Sequence, residues 1–408
     1  MPRLRLGRSF WMDEQRGDAP RFPSLRADRA VDVAIVGGGV TGCSAALLCA
    51  RAGARVILVD AQRIGRGSTA ASTALLMQEP DTDFRQLTRR YGAARTQRIW
   101  RCGRAAVTDF TTILRGIGHA VHRLPSVYYA TDAGDLDGLR EEHRLRRRAH
   151  LGGRWLDPRA LDAITGLDAP GAILTQGNSE TDPYAACLAM ARAARDAGAA
   201  IHERTPVRRI VRDGDAAAVE LENGSTIRAD WAIVATGYAT PAFKRLTGRF
   251  RMMNTYVIAT TRLTRAERRR LGLGDAMLWD TRRPYHYLRW TRDGRLIFGG
   301  RDRPQAAGGR RRAALRSQTA GLLDDLVALY PALRGIRAEY AWEGLFATTP
   351  DGLPYIGPHR HHPRQLFALG YGGNGMTLGF FGAQAVVRMV QGRATADDEL
   401  FAFGRLRR

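Results

Sequence analysis

The chain has 408 residues and a single lysine, Lys244; the other 62 of its 63 basic side chains are arginine. Against 40 acidic residues this leaves a formal charge of +23. Such a surplus taken alone suits nucleic acid or an anionic membrane surface. Replacement of lysine by arginine on this scale, however, matches the codon bias of a GC-rich genome. The arginines are also scattered. The densest stretches, Arg144 to Arg148, Arg268 to Arg270 and Arg310 to Arg312, are short and carry no interleaved aromatics. A solvated basic surface is therefore expected, with no nucleic-acid partner. Cysteine is nearly as scarce. Cys43, Cys49, Cys102 and Cys187 form no CxxC pair, which excludes a disulfide framework and a cysteine metal site. A reducing, cytoplasmic setting is expected. His359, His361 and His362 crowd one loop, but no carboxylate or cysteine completes a ligand set, so no metal is expected. No apolar run reaches the roughly 18 residues of a membrane span. The first ten residues are basic but lack the apolar core of a secretory signal. With 44% hydrophobic and 25% charged residues the composition is globular, and the length suits two or three domains.

Residues 1–30 are polar and irregular and read as an arm. The run from Val31 to Val36 is a short buried strand that ends in Gly37-Gly-Gly39. Helical spacing follows from Thr41 to Ala52, with Gly53 as a stop, and Arg55 to Val59 is a second buried strand closed by Asp60. Together these form one βαβ unit. Gly37 permits the tight turn, Gly39 lets a pyrophosphate approach the backbone, and Gly42 lets helix and strand pack closely. Val40 and Thr41 begin the helix, whose free N–H groups attract phosphate. Asp60, 23 residues after Gly37, can accept from both hydroxyls of a ribose and disfavours a 2′-phosphate. The pattern alone cannot separate FAD from NAD.

Three further stretches extend the reading. Gly65 to Thr73 is rich in small and hydroxyl residues, with Ser68, Thr69, Ser72 and Thr73 placed to lie along a long bent cofactor. Strands over 207–211, 217–222 and 225–229 form a small meander, with Val207 at its head as a further contact. A buried strand over 231–235 then ends in Ala235-Thr236-Gly237. Far down the chain, a strand over 366–369 leads through Gly370-Tyr-Gly372-Gly373-Asn374-Gly375-Met376-Thr377 into a last helix. One nucleotide does not need two such turns. A flavin does, because the N1–C2=O edge gains negative charge on reduction and a second helix N-terminus stabilises it. Other expected elements are helices over 84–118, 134–150, 182–198, 264–271 and 312–330, a strand over 126–130, and irregular chain over 343–358.

These stretches, in this order, resemble the FAD-dependent D-amino-acid oxidase superfamily, which includes glycine, sarcosine and γ-glutamylputrescine oxidases. The resemblance spans nearly the whole chain. It is carried also by Asp182-Pro-Tyr184, Trp342-Glu-Gly344, Thr349-Pro-Asp-Gly-Leu-Pro-Tyr-Ile-Gly357 and Gly372-Gly-Asn-Gly-Met376. The lead-in Ser9-Phe-Trp11 is similar to that of the γ-glutamylputrescine oxidase branch. The resemblance implies an α/β (α+β) fold. In it a Rossmann-like FAD-binding domain of the glutathione-reductase type, over 31–90, 180–240 and 341–408, is interleaved with a β-sheet substrate domain over 91–179 and 241–340. It implies oxidation of the C–N bond of a small-molecule amine or amino acid, with hydride passing to flavin N5. Oxygen or another electron acceptor then takes the electrons. A flavin dehydrogenase of the same fold that passes electrons to a quinone or carrier is the alternative. A basic nucleic-acid-binding protein with a structural nucleotide fold is a second, weighed down by the scattered arginines.

The chain departs from the sarcosine-oxidase branch at two places. That branch ties its flavin to a cysteine; the matching position is at or beside Gly344 and no cysteine is near, so non-covalent FAD is expected. That branch also carries an oxygen-activating lysine in the strand matching Leu296-Ile-Phe-Gly299, where this chain has Ile297. On the substrate side, alternation places Tyr285, Tyr287 and Arg289 on one strand face, an aromatic wall with an arginine suited to an amine that carries a carboxylate. No side chain need act as a strong base, so no catalytic residue is assigned.

Overall fold

The computed structural model describes residues 5–15, 17–238, 240, 243, 246, 248–305 and 310–406. Lys244 lies outside the described residues. Two sheets organise them. The eight-stranded sheet runs Tyr355–His359, His362–Leu369, Thr226–Gly237, Arg29–Val36, Val56–Val59 and Ala200–His202, with Ala216–Leu221 and Val207–Asp213 extending Thr226–Gly237 as a meander. From His362–Leu369 to Ala200–His202 every neighbouring pair is parallel. Parallel strands need helical crossovers, and burial on both faces follows. Thus Val33, Ala34, Ile35 and Val56 to Val59 are all buried without alternation.

The ten-stranded sheet runs Arg5–Arg8, Ala338–Thr348, Arg251–Thr260, Leu296–Pro304, Tyr287–Trp290, Met277–Asp280, His122–Tyr129, Ala172–Glu180 and Leu75–Leu76, with Arg154–Leu156 against Ala172–Glu180. It is antiparallel except where Met277–Asp280 runs alongside His122–Tyr129. One face packs toward the parallel sheet and its helices; the other buries Tyr256, Ile258, Leu288, Leu296 and Phe298 against Leu322 and Leu326 of the Arg310–Leu329 helix.

Several expected elements differ. The strands expected over 225–229 and 231–235 are one strand, Thr226–Gly237, whose first half alternates buried and exposed and whose residues 232–235 are all buried. The change of pattern within one strand mimics a break. The helix expected over 84–118 is two, Phe84–Tyr91 and Ala93–Gly116, divided at Gly92 with φ +78°. The stretch expected to be irregular over 343–358 contains most of Ala338–Thr348 and the start of Tyr355–His359. Ala338–Thr348 crosses the boundary expected at 341 and pairs wholly within the ten-stranded sheet, as does Arg5–Arg8 of the arm. Ala172–Glu180 was not expected as a strand; Gln176 and Gly177 interrupt its burial pattern. Among the described residues no helix is long and apolar enough to cross a membrane.

Candidate active site

A pocket lined by residues of both sheets lies between them. Of the expected cofactor residues it is lined by Gly37, Gly39, Val40, Thr41, Asp60, Ser68, Thr69, Ser72, Thr73, Val207, Ala235, Thr236, Gly237, Gly372, Gly373, Asn374, Gly375 and Met376. Gly42 and Thr377 do not line it. Gly42 sits behind the wall, where an added Cβ would stand 1.8 Å from the Gly37 carbonyl oxygen. Thr377 is wholly buried, and its hydroxyl has no partner.

Two helices open onto this pocket at their N-termini. Val40–Arg51 begins after Gly39 and Gly375–Val390 after Asn374, and in neither does the N-cap residue's own side chain bond a helix amide, although the Val40 amide donates to the Thr69 hydroxyl at 3.1 Å. An uncapped N-terminus leaves backbone N–H groups for a ligand and a partial positive charge behind them. Over Gly39 a Cβ would meet only the Thr69 hydroxyl, at 3.2 Å, so the chain leaves that space open. Asp60 is held between the amides of Gly38 and Gln62, each at 2.6 Å. Burial raises its carboxyl above the usual range despite those two bonds, so donors from a ribose would favour its ionised form. The Oδ1 of Asn374 is buried without a partner beside the second N-terminus. These features fit FAD: the Gly37–Thr41 turn would hold the pyrophosphate, Asp60 the adenosine ribose, and Gly372 to Met376 the flavin edge. Gly39→Val is accordingly expected to purify folded but colourless, measured by the ratio of flavin to protein absorbance.

The Gly65 to Thr73 loop is tied on every side. Ser9 Oγ donates to the Ala70 carbonyl at 2.7 Å, Trp11 Nε1 to Ser72 at 2.8 Å, and Trp342 Nε1 to Ala71 at 2.9 Å. Ser68 Oγ donates to the Leu345 carbonyl. The aromatic lead-in and the Trp342-Glu-Gly344 stretch thus act together as clamps on the cofactor loop. Gly344 allows the close approach, since a Cβ there would lie 2.7 Å from that of Ala71.

Arg289 belongs to the same clamp and corrects the expectation of a carboxylate anchor. It does not line the pocket. Its Nε donates to the Thr73 carbonyl at 2.7 Å, Nη2 to the Thr181 carbonyl at 2.7 Å, and Nη1 pairs with Glu180. The guanidinium also stacks on Trp11, 5.0 Å from the ring centroid. Nothing is left to bind a substrate. Arg289→Leu should leave Glu180 buried and unpaired, and stability should fall by about 3–5 kcal/mol, as read from the denaturation midpoint.

Tyr285 and Tyr287 do line the pocket, 5.9 Å apart between ring centroids, with Trp279 beside them. Tyr285 precedes the strand Tyr287–Trp290 rather than lying in it. Two residues that sequence reasoning missed join them. Asp81 accepts from the Tyr285 hydroxyl at 3.2 Å and from the Gly373 amide. Burial raises its carboxyl against the pull of those donors. Asp302 faces the same space beside Thr255, whose hydroxyl bonds Tyr287 at 2.8 Å. Burial pushes the Asp302 carboxyl up to about 6, the Thr255 hydroxyl opposes this and Asp81 adds to it.

Asp302 reaches the pocket through a β-bulge. Tyr256 pairs with Gly300 and Asn254 with Arg303, so Arg301 and Asp302 together oppose Thr255. Strict alternation from Ile297 through Gly299 would turn Arg301 inward. Instead Arg301, at φ +54°, turns to the Arg310–Leu329 helix and holds Asp325 in a bidentate pair, and Asp302 takes the inward place. Only the two-against-one pairing could have revealed this.

A model of the FAD dependent oxidoreductase family matches residues 32–389. Glycine oxidase of Bacillus licheniformis is 25% identical over 383 residues, covering 91% of this chain and 96% of that protein. The gamma-glutamylputrescine oxidoreductase of Escherichia coli K12 is 26% identical over 385 residues, covering 92% and 87%. The crystal structure of glycine oxidase from Geobacillus kaustophilus superposes with a TM-score of 0.76 at 21% identity, covering 90% of this chain and 96% of that one.

Proposed function

The chain belongs to the family of FAD-dependent oxidoreductases, and from that premise we propose that it oxidises the C–N bond of a small amine or amino acid. The two helix N-termini that open on one pocket, neither bonded by its own N-cap side chain, carry this reading, because the pyrophosphate needs one and the flavin edge the other. Bound FAD supplies the hydride acceptor, flavin N5. The chain's part is to orient and to exclude water. Tyr285, Tyr287 and Trp279 would enclose the reacting carbon, and both phenols stay protonated because burial and the neighbouring carboxylates raise them far above their usual values. The relatives named glycine oxidase and gamma-glutamylputrescine oxidoreductase support an amino or amine substrate. Anaerobic mixing of the purified yellow protein with a panel of amines and amino acids should bleach the flavin with at least one of them; a panel without any bleaching would refute the reading.

Among the described residues no cysteine or histidine lines the pocket. Acid precipitation should therefore release all the yellow colour into the supernatant, and colour left in the pellet would mean a covalent link.

A second reading concerns the acceptor. Ile297 is wholly buried among Val257, Ala259 and Trp342 and does not line the pocket, so a lysine placed there would be a buried unpaired charge rather than a group beside the flavin. Arg289 and Arg301 are both held by carboxylates, and neither lines the pocket. This supports a dehydrogenase that passes electrons to an acceptor other than oxygen. Turnover with an artificial dye should exceed turnover in air; rapid stopped-flow reoxidation of the reduced protein by oxygen would favour an oxidase.

A further inference from the structure

We propose that the pocket selects a cationic amine without a carboxylate beside its reacting nitrogen, recognised by Asp302 and Asp81 and enclosed by Trp279, Tyr285 and Tyr287. The proposal rests on the amine-oxidation reading only for the identity of the bond that reacts.

The observation that carries it is an unfilled need at Asp302. Its Oδ1 is buried and has no hydrogen-bond partner. Among the described residues neither Asp302 nor Asp81 has an ion-pair partner. The basic side chains near them are engaged elsewhere. His286 lies near Asp302, but its Nδ1 bonds Asp280 at 2.9 Å and its Nε2 faces Asp325 at 3.2 Å. Arg283 lies near Asp81, yet its Nη1 donates to the carbonyls of Thr281 and Arg282 and its Nη2 to the Tyr128 hydroxyl. Glu79 also lines the pocket but is satisfied by Asn178 and Ser126, which separates it from the other two. Two carboxylates facing one buried space raise each other's cost of ionisation, and an entering cation relieves that cost.

The walls suit the same ligand. Trp279 meets Tyr285 edge to face at 6.2 Å, and Tyr285 meets Tyr287 at 5.9 Å. Aromatic faces around a carboxylate are how an ammonium group is held. An α-amino acid would bring its own carboxylate into this space. With Arg289 and Arg301 withdrawn, the guanidiniums among the described residues that line the pocket are those of Arg63 and Arg66. The remaining pocket arginines, Arg63 and Arg66, come from the loop that follows Asp60, and Arg63 is paired with Glu203.

The decisive pair of probes is 1,4-diaminobutane and ornithine, which differ only by a carboxylate on a carbon that bears an amine. Equilibrium dialysis against the holoenzyme should show the diamine binding about tenfold or more tightly than either enantiomer of ornithine. Asp302→Asn, with its FAD content verified, should weaken the diamine by about tenfold, the scale of one charged hydrogen bond. The wild-type comparison stands even if the variant does not fold. Ornithine binding as tightly as the diamine, no measurable binding of the diamine, or an unchanged Kd in a folded Asp302→Asn would overturn the proposal. Anaerobic bleaching is read in the same samples. Diamine preference without bleaching by any amine would leave the selectivity standing and overturn the oxidation reading instead. Bleaching by ornithine but not by the diamine would do the reverse.

Discussion

Gly42→Ala should purify with little or no flavin and with lowered stability. The added Cβ would stand 1.8 Å from the carbonyl oxygen and 3.0 Å from the carbonyl carbon of Gly37. Both atoms are backbone, so no side chain can swing aside. The Val40–Arg51 helix must lift away from the strand Arg29–Val36, and the amides that face the pocket lift with it. Overpacking of this kind costs about 1–3 kcal/mol, and here it falls on the part of the wall that must contact phosphate. The effect is one of space, since Gly42 has an ordinary helical φ. Gly116→Ala is the control. It ends the helix Ala93–Gly116 with nothing near its Cβ position, and alanine there should be neutral or slightly stabilising. A Gly42→Ala protein with full flavin and an unchanged melting temperature would refute the assignment.

The second large effect is expected at Asp351, inside the Thr349-Pro-Asp-Gly stretch. Its carboxylate meets Arg405 twice, at 2.7 Å to Nε and 2.9 Å to Nη2, and both side chains are completely buried. Tyr91 and Thr349 add hydroxyl donors, and Arg405 lies over the Tyr355 ring at 4.2 Å. The pair fastens the C-terminal segment near Phe401 to the loop that precedes the edge strand Tyr355–His359. Asp351→Ala leaves a buried guanidinium without its counter-ion, and about 3–5 kcal/mol of stability should be lost. Adding Arg405→Met should recover part of the loss, because the uncompensated charge goes with it. Burial alone would raise the Asp351 carboxyl, but Arg405 and the hydroxyl donors together hold it below its ordinary value. Its contribution is therefore complete above the ordinary carboxylate range and disappears as pH falls through the lower folded value. Urea titrations of wild type and Asp351→Ala across acid pH should converge. A constant gap between them would show that the ion pair is not the source.

What the sequence disclosed and what it hid follow a physical line. The dinucleotide half was legible because its geometry is local. Gly37, Gly39, Gly42 and Asp60 lie within 24 residues, and each is required by a turn or an approach that few residue types allow. The second helix N-terminus at Gly372 to Gly375 was legible for the same reason. The substrate side was not, because its residues owe their roles to distant partners. Arg289 is consumed by Glu180 and Thr181, over a hundred positions away. Asp81 gains its place from Tyr285 and Gly373, and its own neighbourhood in the chain reads as an ordinary loop. Alternation correctly put Tyr287 on the pocket face, and the same rule carried Arg289 with it. It could not say that a guanidinium on that face would be covered by the Thr73 loop.

The bulge at Arg301 and Asp302 makes the side chain presented to the pocket a matter of parity. One extra residue decides which of two neighbours, an arginine or an aspartate, looks inward, while the composition of the strand stays the same. Removing a residue between Gly299 and Asp302 would restore even counting with Asp302 still inward, whereas the full-length strand paired without the bulge would turn Arg301 inward.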